Sequence, residues 1–426
     1  MKTIRNMKTV RNKADTELVR QQNRSLVLEA LRKHGALASI ELGQTTKLSP
    51  ATISAITNDM LSERLIEMDK EETAKTRNAM RGRPKVKLKL TADAALLLGI
   101  RITHNKMSFW LADFCCSIID QQTIDIDTTS LSCDAFSQAL VEKASAFLLG
   151  QNIETNHLSI ISIACQGSVD ADEGEIIWSP AFSARNIAIA APLQDKFGCP
   201  CIVANDTNAI AHLLHVENET LTESFAVMYL GSGIGLGLYV NGALIEGTNG
   251  SASEFGHMLW QDDGVLCRCG RRGCIEAYAS DFGIYRSANE HLKNTAPKDI
   301  TPSQQEMEKL ADAARNNDKT AQAAFNLAGK AIGDGLSNLV MLVNPRNILI
   351  TGPGVAHFDL LKVSINGALF HATRNGHQPK ITILDDKRDL IESGLLALAT
   401  TRLDREVFAR RVSVADVAAR QAISAT

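Results

Sequence analysis

Residues 254–276 read Glu254-Phe255-Gly256-His257-Met258-Leu259-Trp260-Gln261-Asp262-Asp263-Gly264-Val265-Leu266-Cys267-Arg268-Cys269-Gly270-Arg271-Arg272-Gly273-Cys274-Ile275-Glu276. Three thiols within eight residues, with one imidazole ten positions upstream, make a Cys3His donor set. Gly270 and Gly273 let the backbone fold tightly around a tetrahedral ion. His257, Cys267, Cys269 and Cys274 fill all four positions and leave none for water, so the expected ion is a structural Zn²⁺. Cysteine is sparse over the whole chain, nine in 426 residues, which excludes a disulfide scaffold and fits a metal site in a reducing cytoplasm. The other six are expected to be core residues.

Around this stretch, apolar runs alternate with longer helical patterns. Leu96–Ile102, Met107–Leu111, Ile160–Ala164, Ile202–Ala204, Phe225–Leu230, Leu236–Val240 and Ile348–Thr351 read as strands. Ala135–Leu149, Thr207–His215 and Ala321–Leu342 read as helices. Mixed elements over some 300 residues indicate an α/β body of two lobes, spanning residues 91–404. No short-period repeat is visible. No run of about 18 apolar residues occurs, so no membrane span is expected. The basic, polar first thirty residues lack the apolar segment of a secretion signal, and the expected location is cytoplasmic.

The net charge of −3 hides an asymmetry. Residues 1–90 hold 19 Lys and Arg against 10 Asp and Glu, a surplus of nine positive charges, and the remainder carries −12. Such a basic segment on an acidic body suits a nucleic-acid-binding unit. Residues 1–15 show no periodicity and are expected to be a flexible arm. From Thr16 a helical stripe follows through Leu18, Val19, Leu26, Val27, Ala30 and Leu31, stopped by Gly35. A short helix fits Ser39–Thr45, with Ile40 and Leu42 to pack. Ser49 then caps a third helix with Pro50 at its first position. Ile53, Ile56, Met60 and Leu61 face inward there, and Thr52, Ser54, Ala55 and Asn58 outward. Two helices with a tight turn, the second presenting small polar groups, fit a helix-turn-helix able to sit deep in a major groove. Leu65–Met68 and Val86–Leu90 alternate as strands around Arg81-Gly82-Arg83-Pro84-Lys85, a basic wing. The expected unit is a winged helix-turn-helix over 16–90, with Ser49, Thr52, Ser54, Asn58, Arg81 and Arg83 toward DNA. Residues 405–426 form a tail with the alternating charge and alanine of a last helix.

The Glu254-Phe255-Gly256-His257 stretch, followed by Cys267-x-Cys269-Gly270-x-x-Gly273-Cys274-x-Glu276, resembles the signature of the ROK family (repressor, open reading frame, kinase). The resemblance covers roughly residues 20–400. It implies an actin-like, two-lobed sugar kinase fold, in dimers or tetramers. With an amino-terminal helix-turn-helix the chain resembles the sugar-responsive transcription factors of the family, such as the xylose and N-acetylglucosamine repressors. By the same match Asn205 and Asp206, in Val203-Ala204-Asn205-Asp206-Thr207-Asn208-Ala209, would hold neighbouring sugar hydroxyls, Asp206 standing where a kinase has its base. From the residues alone, Asn-Asp after a strand is most often a helix cap. Glu254 and Glu276 would accept sugar hydroxyl bonds. His257 would serve twice, one ring nitrogen on zinc and the other toward the sugar. Gln166-Gly167 and Asn186 fall where the family has further sugar-contacting loops.

A kinase of this kind also needs two glycine-rich phosphate loops. Gly231-Ser232-Gly233-Ile234-Gly235-Leu236-Gly237 resembles the second, and Thr351-Gly352-Pro353-Gly354 an adenosine-side loop. The first is lost: where the family's kinases have Asp-x-Gly-Gly-Thr, this chain has Arg101-Ile102-Thr103-His104-Asn105. A cation replaces the carboxylate and side chains replace both glycines. The expected function is therefore a non-enzymatic regulator that binds double-stranded operator DNA as a homodimer or homotetramer and responds to a sugar or sugar derivative. The alternatives are an ATP-dependent sugar kinase with a repurposed extension, and a DNA-binding protein whose effector is another protein.

Overall fold

In the computed structural model, residues 2–69, 86–153, 157–248, 250, 253–372, 378–384 and 389–410 are described. The amino-terminal unit contains α1 (Lys2–His34), β1 (Leu37–Ala38), α2 (Ser39–Thr46), α3 (Pro50–Ser62), β2 (Ile66–Met68) and β3 (Lys87–Leu90). Ser49 caps α3 as expected, its side chain accepting from Thr52 N at 3.2 Å with Pro50 at the first position. Lys47 takes a left-handed conformation, φ 58°, that turns the chain between α2 and α3. The three strands form an antiparallel sheet in the order β1-β3-β2.

Two expectations for this unit are corrected. Helix α1 starts at Lys2, so the residues expected to form an arm are helical. Its buried stripe is Arg24, Val27, Leu28, Ala30 and Leu31, whereas Leu18, Val19 and Leu26 are exposed, as is Ile40 on α2. The stripe is set by what α1 packs on. Its core is continuous with Leu97, Ala112, Phe114, Leu396, Leu403 and Phe408 of the body, so one apolar cluster spans both units.

The body carries two five-stranded sheets of the same topology. The first comprises β4 (Leu96–Thr103), β5 (Lys106–Asp113), β6 (Ile118–Asp125), β7 (Ile160–Cys165) and β11 (Cys201–Asn205), in the order β11-β7-β4-β5-β6. The second comprises β12 (Phe225–Leu230), β13 (Ile234–Val240), β14 (Ala243–Leu244), β15 (Asn347–Thr351) and β16 (Lys380–Ile383), in the order β14-β13-β12-β15-β16. In each, three antiparallel strands in sequence are followed by two parallel additions on the opposite edge. The repeat absent from the sequence is thus present as topology. Helix α4 (Cys133–Gly150) lies between β6 and β7, and between β7 and β11 lie the small sheet of β8 (Ser168–Asp170), β9 (Glu175–Trp178) and β10 (Ile187–Ala188), and α5 (Ala190–Phe197).

Helix α6 (Asp206–Glu217) leaves β11. In the second lobe follow α7 (Glu276–Ala279), α8 (Asp281–Ala288), α9 (Gln304–Arg315), α10 (Lys319–Val343) and α11 (Phe358–Ala372), and the chain returns through α12 (Leu390–Arg402). Helices α6 and α12 lie between the sheets, where Ile210, Leu214, Ile391 and Leu395 share a core with Trp110, Phe225, Val227 and Leu349. Close approach there depends on absent side chains: a Cβ on Gly237 would stand 2.6 Å from the Ala211 Cβ. No described helix is long and apolar enough to cross a membrane.

Candidate functional site

The cleft between the lobes ends at the carboxyl edge of β11, where the strand-to-helix switch places Asn205 and Asp206. Asn205 caps α6, its Oδ1 accepting from Thr207 N at 2.8 Å and Asn208 N at 3.3 Å, while Nδ2 donates to Gly167 O at 2.9 Å. Capping and ligand binding are compatible, since the amide carries a second hydrogen. Asp206 is the first residue of α6 and is 6% exposed. Burial raises its pKa, and the charge of Arg101 works against that rise. A buried carboxylate at the positive end of a helix is suited to accept a hydroxyl hydrogen bond.

The facing wall comes from the second lobe. Glu254, His257 and Glu276 line the same cleft as Asn205 and Asp206. Glu276 is buried, its Oε2 accepting from Ile234 N at 3.1 Å. The pKa of Glu254 is raised by burial, with His257 opposing. His257 Nδ1 lies 3.7 Å from Cys267 Sγ, and Nε2 lies 3.8 Å from Glu254 Oε2. The two ring nitrogens therefore face different neighbours, one the thiol cluster and one the cleft.

The donor atoms of His257, Cys267, Cys269 and Cys274 all lie within 4.8 Å of one another, with Cys269 Sγ 3.7 Å from Cys274 Sγ. A tetrahedron with metal–sulfur bonds of about 2.3 Å has sulfurs about 3.8 Å apart, so the cluster fits Zn²⁺. The neighbouring Cys267 thiol holds the Cys269 pKa below the ordinary thiol range. Of the remaining cysteines, Cys165 and Cys199 are buried as expected, but Cys115 is exposed on the turn between β5 and β6.

Other expectations fare differently. Gln166 and Gly167 line the cleft, whereas Asn186 is exposed and does not. Trp178 and Pro180 also line it, unmarked by any motif. The Trp178 ring meets that of His257 edge to face, centroids 5.3 Å apart. Only the return of β9 beside the cysteine loop brings them together, so no local pattern could reveal them. Thr52 is half-buried on α3, while Ser54, Ala55 and Asn58 are exposed. Arg81 and Arg83 lie outside the described residues.

The glycine-rich stretch after β12 has packing duties. Gly235 and Gly237 admit Thr207 and Ala211 of α6 at distances a Cβ would not allow, and Ile234 N–H is taken by Glu276. At the first phosphate-loop position β4 and β5 are joined by a closed hairpin turn, Thr103 pairing with Lys106. The turn is tight although side chains stand in place of both glycines: Asn105 supplies φ 54° without glycine. Its Oδ1 accepts from Thr128 N and Oγ1, both at 3.1 Å.

The ROK family model matches residues 97–389. The DNA-binding transcriptional dual regulator NagC of Escherichia coli (strain K12) is 23% identical over 340 residues, 79% of this chain and 82% of that protein. The xylose repressor of Bacillus spizizenii is 26% identical over 339 residues, 79% of this chain and 83% of its own length. Among solved structures, a ROK family transcriptional regulator homologous to the E. coli MLC protein superposes with a TM-score of 0.74 at 21% identity, covering 92% of this chain and 99% of that one. A ROK family glucokinase from Streptomyces griseus, solved with glucose and AMPPNP, gives 0.56 at 22% identity over 72% of this chain and 99% of its own. Both share the two-lobed fold. With the family model spanning most of the body and both sheets in place, the chain belongs to the ROK family.

Proposed function

We propose that this protein is a sugar-responsive DNA-binding transcription regulator without kinase activity. The observation that carries the reading is a pairing within one chain: a capped, outward-facing α3 on a three-helix unit, and a carboxylate-lined cleft whose first phosphate loop is a closed hairpin. Ser49, Thr52, Ser54 and Asn58 of α3 meet DNA, with Arg81 and Arg83 supplying a wing to the phosphates. The unit is then a winged helix-turn-helix, supported by the β1-β3-β2 sheet behind α3. One recognition helix reads few base pairs, so a homodimer, alone or within a tetramer, on a two-fold operator is the natural assembly.

The cleft takes a sugar or sugar derivative on Asn205, Asp206, Glu254, His257 and Glu276. Zn²⁺ on His257, Cys267, Cys269 and Cys274 stiffens the wall that carries three of them. The relatives named as NagC and xylose repressor support both halves of this reading. Repression relieved by sugar is the expected sign. With Arg101 where a kinase has its loop aspartate, and Asn105 committed to Thr128, nothing cradles a nucleotide phosphate at that turn.

The test is fluorescence anisotropy of the purified full chain on DNA from upstream of its own gene, with salt varied and N-acetylglucosamine, xylose and glucose titrated. Tight binding that weakens steeply with salt and shifts with one sugar is expected. Hexose-dependent ATP turnover, without DNA affinity above that for random sequence, would instead establish the kinase.

A further inference from the structure

The residue that replaces the kinase loop aspartate has partners of its own. Arg101 Nη1 lies 3.4 Å from Asp389 Oδ2, and with Tyr229 it lines a cavity of about 630 Å³ behind the sugar cleft. Its charge also bears on Asp206 and Tyr229. Asp389 is the cap of α12, its Oδ1 accepting from Ile391 N at 2.9 Å and Glu392 N at 3.1 Å. The start of α12 is thereby tied to Arg101, whose charge acts on Asp206.

The other end of α12 is tied to the amino-terminal unit. The helix runs directly into a π-helical turn, Leu403–Val407. Asp404 in that turn clasps Arg32 of α1 with two bonds of 3.0 Å, and Arg32 also donates to Phe114 O at 2.6 Å. Ser25 donates to Asp404 O at 2.9 Å, and Arg24 to Phe408 O at 3.0 Å. Arg24 in turn pairs with Glu63, the residue that ends α3. Thirteen residues of helix, about 20 Å long, thus connect the two attachments. Along the way α12 is fastened to α6 by Thr401, which meets His212 at 2.9 Å, and by the backbone approach of Gly394 to Ala209.

We propose that α12 is the transmission element between the sugar cleft and the DNA-binding unit, with Arg101–Asp389 and Asp404–Arg32 as its two attachments and Arg101 as a positioning residue. This deepens the regulator reading and rests on the cleft being the effector site. At 3.4 Å the Arg101–Asp389 contact is slack compared with a charge-assisted bond of about 2.8 Å, so it has room to tighten. Arg101 contacts Asp389, and its charge also acts on Asp206. A sugar hydroxyl donating to Asp206 weakens that attraction and leaves the guanidinium to Asp389. The rod then draws on Asp404 and biases where α1 and α3 sit, which is how a small local change selects between two arrangements of a packed interface.

The experiment is hydrogen exchange by mass spectrometry on the full chain, comparing wild type, Arg101→Ala and Arg101→Lys. Without any sugar, Arg101→Ala is expected to speed exchange at the start of α12, at residues 403–408 and at residues 24–34, by about threefold or more. Arg101→Lys, which keeps the charge in a folded protein, should show the same pattern at smaller amplitude. A change confined to β4 and the first turn of α12, with residues 24–34 unaltered in both variants, overturns the proposal. In a second arm N-acetylglucosamine, xylose and glucose are added. Wild type should gain protection around residues 205–209 and change at residues 24–34, whereas Arg101→Ala should lose the distant change. If no sugar protects the cleft of wild type, the effector reading fails, and the sugar-free arm still decides whether Arg101 holds α12 to α1.

Discussion

Gly394 of α12 faces the backbone of Ala209 on α6 so closely that a Cβ there would stand 2.5 Å from the Ala209 carbonyl oxygen. At this crossing the two helices between the lobes meet backbone to backbone. Glycine inside a helix ordinarily costs about 1 kcal/mol against alanine, so Gly394→Ala would stabilise an isolated helix. Here overpacking opposes it and forces a shift costing about 1–3 kcal/mol. We expect a lower melting temperature for Gly394→Ala. Gly367 on α11 has nothing within 4 Å of its would-be Cβ, and Gly367→Ala should raise the melting temperature instead.

The thiol cluster yields a second expectation. Purified protein should carry one zinc per chain by elemental analysis, and Cys274→Ser should lose it. Structural zinc delivers up to about 10–16 kcal/mol to the folding of small domains. In this chain the loss falls on the loop that carries Glu254, His257 and Glu276. Chelation should therefore weaken sugar binding while leaving the α1–α3 unit folded, measured by calorimetry on the chelated protein and by exchange at residues 24–62. Full sugar affinity in a zinc-free sample would separate the metal from the cleft.

Features governed by local rules are legible in the sequence. The Ser49-Pro50 start of α3, its Ile53, Ile56 and Met60 face, and the Cys3His cluster at fixed spacing are of this kind. Strand β6 escapes because Ile118–Asp125 is an edge strand, largely exposed, with no apolar alternation to mark it. The buried side of α1 escapes because Arg24 goes inside only to meet Glu63 and Phe408, partners 39 and 384 residues away. Trp178 reaches the cleft by topology alone. At Arg101 the departure from the kinase pattern is visible in sequence, but its partner Asp389, 288 residues on, is not.

His212 supplies a pH dependence. It sits between Tyr239 OH at 3.1 Å and Thr401 Oγ1 at 2.9 Å, and burial pushes its pKa down to about 4. The unfolded chain then binds a proton that the folded chain refuses between pH 6.5 and 4. Stability from this group is complete above about pH 6.5 and falls as pH drops toward 4, by up to about 3 kcal/mol. The buried acids Asp206, Glu254 and Asp281 have raised pKa values and act in the opposite sense. The signature is therefore the difference between wild type and His212→Gln in urea unfolding at pH 7.5 and pH 5. His212→Gln should be the less sensitive to acid, and equal slopes would show that His212 is not the titrating group.

The Arg24–Glu63 pair joins α1 to the end of α3, with side chains only 1% and 5% exposed and bonds of 2.5 and 3.2 Å. Removing one partner leaves the other charge buried, so Arg24→Met and Glu63→Leu should each cost about 3–5 kcal/mol. Replacing both removes the desolvation cost along with the attraction, and the double variant should recover most of that loss. It will not recover all of it, because Arg24 also donates to Phe408 O, and a stranded carbonyl costs about 1–3 kcal/mol. Urea unfolding of the four proteins completes the cycle. Single losses that simply add in the double variant would mean the two charges do not depend on one another.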